Sequence, residues 1–544
     1  MASGTCDALI IGGGHNGLVC AAYLAGAGLK VRVLERRGIV GGAAVTEEFF
    51  PGFRNSTASY TVSLLNPKVI ADLRLREHGL RVVERPYANF LPLPDGRAFR
   101  LGGERTQAEV AQWSARDAAR LPDYYAMLDR VVAVLRELMV RTPPNVSDGF
   151  VLADWLASLD VARKLKHLDM RARRDLLDLF TKSAGELLDA YFESDPLKAV
   201  LGWDSVVGNF ASPYTPGSAY VLLHHVFGEV NGKSGVWGHA IGGMGAITQA
   251  IAAECAARGV VVDTSAAVER VLVDDGKAVG VRLADGRELH AKTIVSNVNP
   301  KLLYQQLVPR GDLDQDVAER IDRYRCGSGT FRMNVALSEL PDFTAAPGTQ
   351  LQPHHQSGIL VGPSLQYFEQ AYFDAKSQQY NPGWSRNPIV ELVISSTLDD
   401  TLAPAGQHVA SLFCQHVNPV LADSGHVEGG WDAHRDTVAR LMIDTVDAYA
   451  PNFRASVLGY KALSPLDLER EYGLIGGDIF HGSLGLDQLF SARPLLGQGN
   501  YRGALRQLYL CGAGTHPGGG VTGLPGRNAA REILRDLGRK PRPA

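Results

Sequence analysis

The stretch DALIIGGGHNGLVCAAYLAGAGLKVRVLE, residues 7–35, decides the fold. Asp7 to Ile11 is an apolar run of strand length, and Val31 to Glu35 is a second. Between them Gly12, Gly14 and Gly17 form a GxGxxG turn, and Leu18 to Ala27 is an Ala- and Leu-rich helical segment ended by Gly28. Strand, glycine turn, helix and strand within about 30 residues make one βαβ unit. Each part serves the binding of a dinucleotide. Gly12 permits the tight turn, Gly14 lets the backbone approach a pyrophosphate, and Gly17 lets the helix pack on the sheet. The helix N-terminus offers unpaired N–H groups and a positive dipole end to phosphate, with His15 and Asn16 inside the turn as further contacts. Glu35, 18 residues after Gly17, can accept hydrogen bonds from ribose hydroxyls and would repel a 2′-phosphate.

This fingerprint alone does not separate NAD from FAD. The residues after it favour FAD. Gly38, Gly41 and Gly42 follow Glu35-Arg36-Arg37 directly, and a second glycine cluster, with Ala43 beside it, keeps backbone near the same pyrophosphate.

Farther out, residues 105–240 carry helical rather than strand signals, the clearest being the apolar stripe Leu176, Leu177, Phe180, Ala184, Leu187, Leu188 and Tyr191. Gly242-Gly243-Met244-Gly245 leads into a helix ending near Arg258. Strands are predicted at Val260–Val262, Val268–Val273, Val279–Leu283 and Glu288–Ile294, with turns at Asp274-Asp275-Gly276 and Ala284-Asp285-Gly286. The chain then returns to its first theme, with a strand at Leu508–Cys511, a glycine-rich loop at Gly512–Gly526 and a helix at Arg527–Leu537.

Length and composition bound the function. A chain of 544 residues exceeds one core, so two or more domains are expected. A net charge of -3 lacks the basic footprint that nucleic acid requires. The 6 cysteines form no CxxC pair, which argues against a disulfide framework, a dithiol mechanism or a cysteine zinc site. No HExxH, HxH or carboxylate cluster suggests another metal. No apolar run is long enough for a transmembrane helix. The first basic residue is Lys30, so neither a signal nor a transit peptide is expected and the cytoplasm is the default location.

Several segments, in order, carry a family resemblance: GGGHNGLVCAAYL (12–24), GGAAVTEEFFPGF (41–53), SPYTPGSAYVLLHHV (212–226), GGMGAI (242–247), GGDIFHGSLGLDQLF (476–490) and LYLCGAGTHPGGGVTGLPGRNAA (508–530). The chain resembles the phytoene-desaturase-like flavoproteins, relatives of the amine oxidase fold, and within them the pyridine nucleotide-disulfide oxidoreductase domain-containing protein 2 family. The resemblance implies an α/β class, with a Rossmann-type FAD-binding domain and an interleaved α+β substrate domain. Residues 1–104, 241–309 and 496–544 would form the FAD domain, 105–240 a helical substrate part and 310–495 a substrate part with a sheet. It implies noncovalent FAD, a small-molecule substrate and an unidentified electron acceptor. For a eukaryotic member it implies the mitochondrial matrix. The FAD contacts it implies are Gly12, Gly14, Gly17, Glu35, Arg36, Gly42 and Val268 at the adenosine and pyrophosphate end. Gly512, Gly514, Thr515, Gly520, Val521 and Thr522 would line the ribityl chain and ring. Relatives often place an acidic residue on the ribityl chain; here Cys511-Gly512-Ala513-Gly514 leaves that to backbone amides or Thr515. The last helix would aim its dipole at the reduced ring.

Flavin carries the redox step, so a catalytic side chain is not obligatory. The candidate is His481, which as a neutral imidazole can act as a base near pH 7, or merely order its loop. His224 and His225 read as packing or pocket wall, and His516 as a loop residue that can reach the ring. The basic run Arg163, Lys164, Lys166, Arg171, Arg173 and Arg174 reads as a solvated face, or as peripheral membrane contact suited to a lipophilic substrate. The leading function is an FAD-dependent oxidoreductase of dehydrogenase or desaturase type acting on an apolar small molecule. The alternatives are a flavin-binding regulatory or scaffold protein and an amine oxidase, the last weakened by a flavin loop without aromatic residues.

Overall fold

The computed structural model describes residues 6–103, 105–146 and 151–539, so the expected boundary at residue 104 lies outside the described residues. Five strands run parallel in the order Val261–Asp263, Val31–Leu34, Cys6–Ile11, Glu288–Ser296 and Leu508–Leu510. Ile10 sits level with Val33 on one side and Val295 on the other. The central positions Ala8–Ile11, Val33, Leu34, Ile294 and Val295 are buried, which is why apolar residues cluster there. The strands Val268–Asp274 and Lys277–Leu283 extend the sheet as an antiparallel meander onto the start of Glu288–Ser296. Asp275 and Gly276 turn the first hairpin with φ of 44° and 66°, as a two-residue loop requires.

The helix after the glycine turn spans His15–Gly26 and is buried along most of its length. It packs between the helix Gly245–Ala257 and the C-terminal helix Leu524–Asp536. The last of these starts three residues before the predicted Arg527, because Gly523 (φ 72°) ends the loop and Pro525 suits a first turn.

A second sheet has the order Val457–Leu463, Phe331–Leu337, His408–Val417, Trp384–Val393, Gly358–Val361, Asn89–Pro92 and Ala98–Leu101. The helix Gly430–Asp447 packs on one face and Leu365–Lys376 on the other. The hairpin at residues 89–101, expected in the first FAD segment, pairs with this sheet through Gly358 and Ile359.

Among the described residues of 106–225 there are seven helices. The apolar stripe read across residues 176–191 belongs to two helices, Met170–Thr181 and Ala184–Tyr191. Ser183 caps the second in a reciprocal box with Glu186, a start signal that apolar periodicity passes over. Leu177, read as part of that stripe, is exposed. In the basic run Arg163, Lys166, Arg171, Arg173 and Arg174 are exposed, and Lys164 pairs with Glu137. No described helix is long and apolar enough to cross a membrane.

Candidate flavin site

A cleft of about 290 Å³ opens at the carboxyl ends of the parallel strands, where an open α/β sheet binds ligands. Gly12, Gly14, His15 and Asn16 line one side, Glu35, Arg36, Gly42 and Ala43 the next, and Val268 the far end. Gly41 supports the turn from behind, donating its N–H to the Gly13 carbonyl at 2.9 Å. Glu35 accepts from the N–H of Gly13 at 2.8 Å and of Arg37 at 2.9 Å. Each carboxylate oxygen keeps a lone pair for a ribose hydroxyl. Gly17 is absent from the lining yet shapes it. A Cβ there would stand 2.2 Å from the Gly12 carbonyl oxygen, so the helix can start this close to the turn only without a side chain.

The cleft meets a second cavity, an apolar chamber of about 120 Å³. His15, Ala43, Leu474, His481 and Ala513 line both, so the junction is where a flavin ring would join nucleotide to substrate. The chamber wall includes Tyr60, Trp237, Phe413, Met244, Ile247 and Phe480, and no charged residue lines it. The Tyr60 hydroxyl bonds to the buried Glu391 carboxylate, and the Arg332 guanidinium lies 4.6 Å from the centre of its ring. The residues present fit FAD. His15 Nε2, Asn16 Oδ1 and His481 Nδ1 are buried without a protein partner, all on residues lining the cleft, a costly state unless a ligand meets them.

The C-terminal loop behaves differently from its reading residue by residue. Gly520 and Val521 line the chamber. Gly512, Gly514, Thr515 and Thr522 line neither cavity. The Thr515 hydroxyl donates to the Gly512 carbonyl at 2.8 Å, and the Thr522 hydroxyl accepts from the Leu524 N–H at 3.1 Å. Both serve the loop itself. His516 faces away from the junction and bonds to the Leu138 carbonyl at 3.1 Å. His225 forms chamber wall, its ring nearly parallel to that of Trp237, while His224 packs edge-on against Phe480.

Two buried groups hold the His481 loop. Asp478 accepts from the N–H groups of Gly327, Phe480 and Gly482 at 2.9, 2.8 and 3.2 Å. Burial raises its carboxyl above the ordinary carboxylate value despite these bonds. Arg493 is wholly buried and donates to the carbonyls of Phe480 at 2.6 Å and of Gln488 and Ala513 at 3.0 Å. It ties the His481 loop to the flavin loop. Asn297 and Asn299, just past the strand Glu288–Ser296, also line the cleft. Asn297 Nδ2 donates to the Gly12 carbonyl at 3.2 Å. The rule that ligands sit at the carboxyl ends of parallel strands is the signal that points to this pair.

With this geometry in place, sequence comparison decides the family. Residues 17–331, more than half of the chain, match the family described as flavin containing amine oxidoreductase. The chain belongs to that family. The mouse pyridine nucleotide-disulfide oxidoreductase domain-containing protein 2 is 42% identical over 553 residues, covering 98% of this chain and 94% of the mouse protein. A phytoene desaturase (lycopene-forming) of Paracoccus sp. is 26% identical, covering 97% of each chain. The solved structure of a cyclohexylamine oxidase from Brevibacterium oxydans superposes with a TM-score of 0.56 at 15% identity, over 98% of this chain and 100% of that one. This last likeness is one of fold. The resemblance read from the sequence therefore holds, and this flavin amine oxidoreductase is an FAD-dependent oxidoreductase.

Buried histidines make the stability of this oxidoreductase pH-dependent. Burial depresses His224 and His416 to about 3, and His225 and His516 to about 4. An unfolded histidine titrates near 6.5, so below that pH the unfolded chain binds more protons than the folded one. Their contribution is complete above pH 6.5 and is lost, at about 1.4 kcal/mol per histidine per pH unit, as pH falls towards 4. A melting temperature flat above pH 7 and falling steeply below pH 6 is expected; one that rises on acidification contradicts it.

Proposed function

We propose that the protein removes hydrogen from a C–C or C–heteroatom bond of an apolar small molecule bound in the chamber. The observation that carries this is the uncharged, largely apolar chamber sharing five residues with the nucleotide cleft. An ammonium substrate would find no carboxylate in that lining, since Glu391 lies behind Tyr60 and is bonded to its hydroxyl. When bound, FAD accepts the two electrons of the oxidation. The chain's part is to exclude water, align the substrate and hold polar atoms still.

His481 would be the polar contact at the junction. Burial, with lesser effects of His15 and Arg493, lowers its pKa to about 3, so it is neutral at pH 7 and a weak base. That suits hydrogen bonding better than removal of a firmly held proton. Its backbone is fixed at φ 58°, with its carbonyl accepting from the Tyr324 hydroxyl at 2.8 Å. The test is anaerobic titration of the FAD-loaded protein with a panel of lipids and hydrophobic metabolites. A compound that bleaches the flavin band identifies the substrate class. His481→Ala should keep its FAD and slow that bleaching about tenfold, the worth of one hydrogen bond of ~1.4 kcal/mol. Bleaching by primary amines alone would overturn the proposal.

A further inference from the structure

When hydrogen leaves a substrate as hydride, the proton released with it needs a base. The histidines of the chamber are weak ones. Burial lowers His15 and His225 to about 4 and His481 to about 3. The hydroxyls of Ser59, Thr61 and Ser63 also line the chamber, but a neutral alcohol is no base. Thr61 is moreover engaged on both sides, donating to the Gly238 carbonyl at 3.1 Å and accepting from Arg85 Nη2 at 2.7 Å.

Tyr60 differs from these. Its hydroxyl donates to the buried Glu391 carboxylate, which leaves the phenol oxygen a lone pair for a second donor. Tyr60 comes from the loop after the strand Phe53–Ser56, and Glu391 from the strand Trp384–Val393 of the second sheet. The adjacent Ser59 N–H donates to the Ala43 carbonyl at 2.9 Å, and Ala43 lines both cavities, so Tyr60 stands beside the junction. Two buried guanidiniums flank the pair. Arg332 lies over the Tyr60 ring and is fixed by the carbonyls of Ala58 and Leu412 at 2.9 and 2.6 Å. A Cβ on Gly358 would stand 2.8 Å from a Glu391 oxygen and 3.3 Å from Arg85 Nη1, so that carboxylate and guanidinium lie together beside this glycine. Phenol, carboxylate and two cations form one buried polar unit, and Tyr60 carries it to the chamber wall.

We propose that Tyr60 is a catalytic residue, that Glu391 stores the proton it takes, and that the substrate is an otherwise apolar alcohol. This rests on the reading of the chamber as the substrate site. The substrate O–H donates to the Tyr60 oxygen. As the hydrogen on the hydroxyl-bearing carbon leaves as hydride to the flavin, the O–H bond breaks, its proton passes to the Tyr60 oxygen, and the Tyr60 proton passes to Glu391. The C–O bond becomes C=O. The substrate loses two electrons to the flavin, and one proton ends on the carboxylate. An O–H proton is within reach of a phenol backed by a carboxylate, whereas a proton held by an unactivated carbon is not, so the pair selects oxidation of a C–O over a C–C bond.

The test uses the FAD-loaded protein without oxygen and the alcohols cyclohexanol, cyclooctanol and benzyl alcohol, each beside its hydrocarbon, cyclohexane, cyclooctane or toluene. Binding is read from perturbation of the flavin band and reaction from its bleaching, with the carbonyl product identified. An alcohol of this set should bleach the band while its hydrocarbon binds without reaction. Tyr60→Phe keeps the ring against Arg332 and Phe413, so it should hold the hydrocarbon as the parent does and bleach at least about a hundredfold more slowly. Glu391→Gln keeps an acceptor for the Tyr60 hydroxyl but cannot store the proton. It should slow bleaching at least about tenfold and change the half-saturating concentration less than about threefold, a split that loss of packing alone would not give. If alcohols bind and none bleaches, if the hydrocarbons bleach as fast, or if either variant reacts at the parent rate, the pair takes no proton from substrate and the chamber reading stands. If neither alcohol nor hydrocarbon perturbs the band, the chamber reading fails and this inference with it.

Discussion

Gly17→Ala should strip the protein of its cofactor. The added Cβ would sit 2.2 Å from the Gly12 carbonyl oxygen and 3.1 Å from the side chain of Asn297. The first obstacle is backbone, so no side-chain rotation relieves it. Forcing one methyl into a filled space costs about 1–3 kcal/mol, and a main-chain obstacle belongs at the upper end. The relief available is to tilt the helix His15–Gly26 away from the turn. That moves the N–H groups the phosphates need, and it disturbs Asn16, whose carbonyl lies where a Cβ on Gly526 of the C-terminal helix would be. Affinity for FAD should fall at least about tenfold, a loss of ~1.4 kcal/mol or more, read by titrating FAD into the stripped protein. Gly311→Ala is the control, because a Cβ there meets nothing within 4 Å. A Gly17→Ala protein with full FAD would remove the basis for calling this turn the pyrophosphate site.

Arg493→Met should have the largest effect on stability. The guanidinium lies at 0% exposure, and its donors are spread over the carbonyls of Phe480, Gly482, Ser483, Gln488 and Ala513. Removing it leaves buried carbonyls on two loops without their donor, and each such loss costs on the order of 1–3 kcal/mol where water cannot replace it. We expect roughly 4 kcal/mol of destabilisation in all, together with weakened FAD retention, because His481 and Ala513 both lie on the tied loops. Arg493→Lys should not rescue it. A single ammonium has three donors at one point, whereas these carbonyls are reached by a planar fork. A methionine variant that melts within about a degree of the parent would show that the loops hold themselves.

The glycine turn and its acidic partner were legible in the sequence as features of one cleft because their physics is local. Gly12, Gly14 and Glu35 lie within one βαβ unit, where spacing alone sets geometry. The chamber was less so. Tyr60, Trp237, Phe413 and Phe480 come from four separate segments that only the tertiary fold brings to one chamber. Arg493 was invisible for a related reason: its partners are carbonyls, and a carbonyl carries no sequence signature. In the C-terminal loop the glycine pattern marked a segment that reaches the chamber. It could not tell Gly520 and Val521, which face the chamber, from Thr515 and Thr522, whose hydroxyls are used by the loop's own backbone. The stripe at 176–191 misled because two short helices with compatible phases look like one until the Ser183–Glu186 box is noticed.

The strand Glu288–Ser296 stands between Cys6–Ile11 and Leu508–Leu510, so the opposite ends of the polypeptide are neighbours in one sheet. During synthesis this imposes an order of events. At about 5–20 residues per second, the ribosome delivers Leu508 roughly 10 to 40 seconds after Ser296. For that interval the nascent chain offers the free edge of Ile294–Ser296 to any strand that comes near. Closing the nucleotide cleft is thus a late event, and loss of the strand Leu508–Leu510 with the helix Leu524–Asp536 should be far more damaging to assembly than its size suggests.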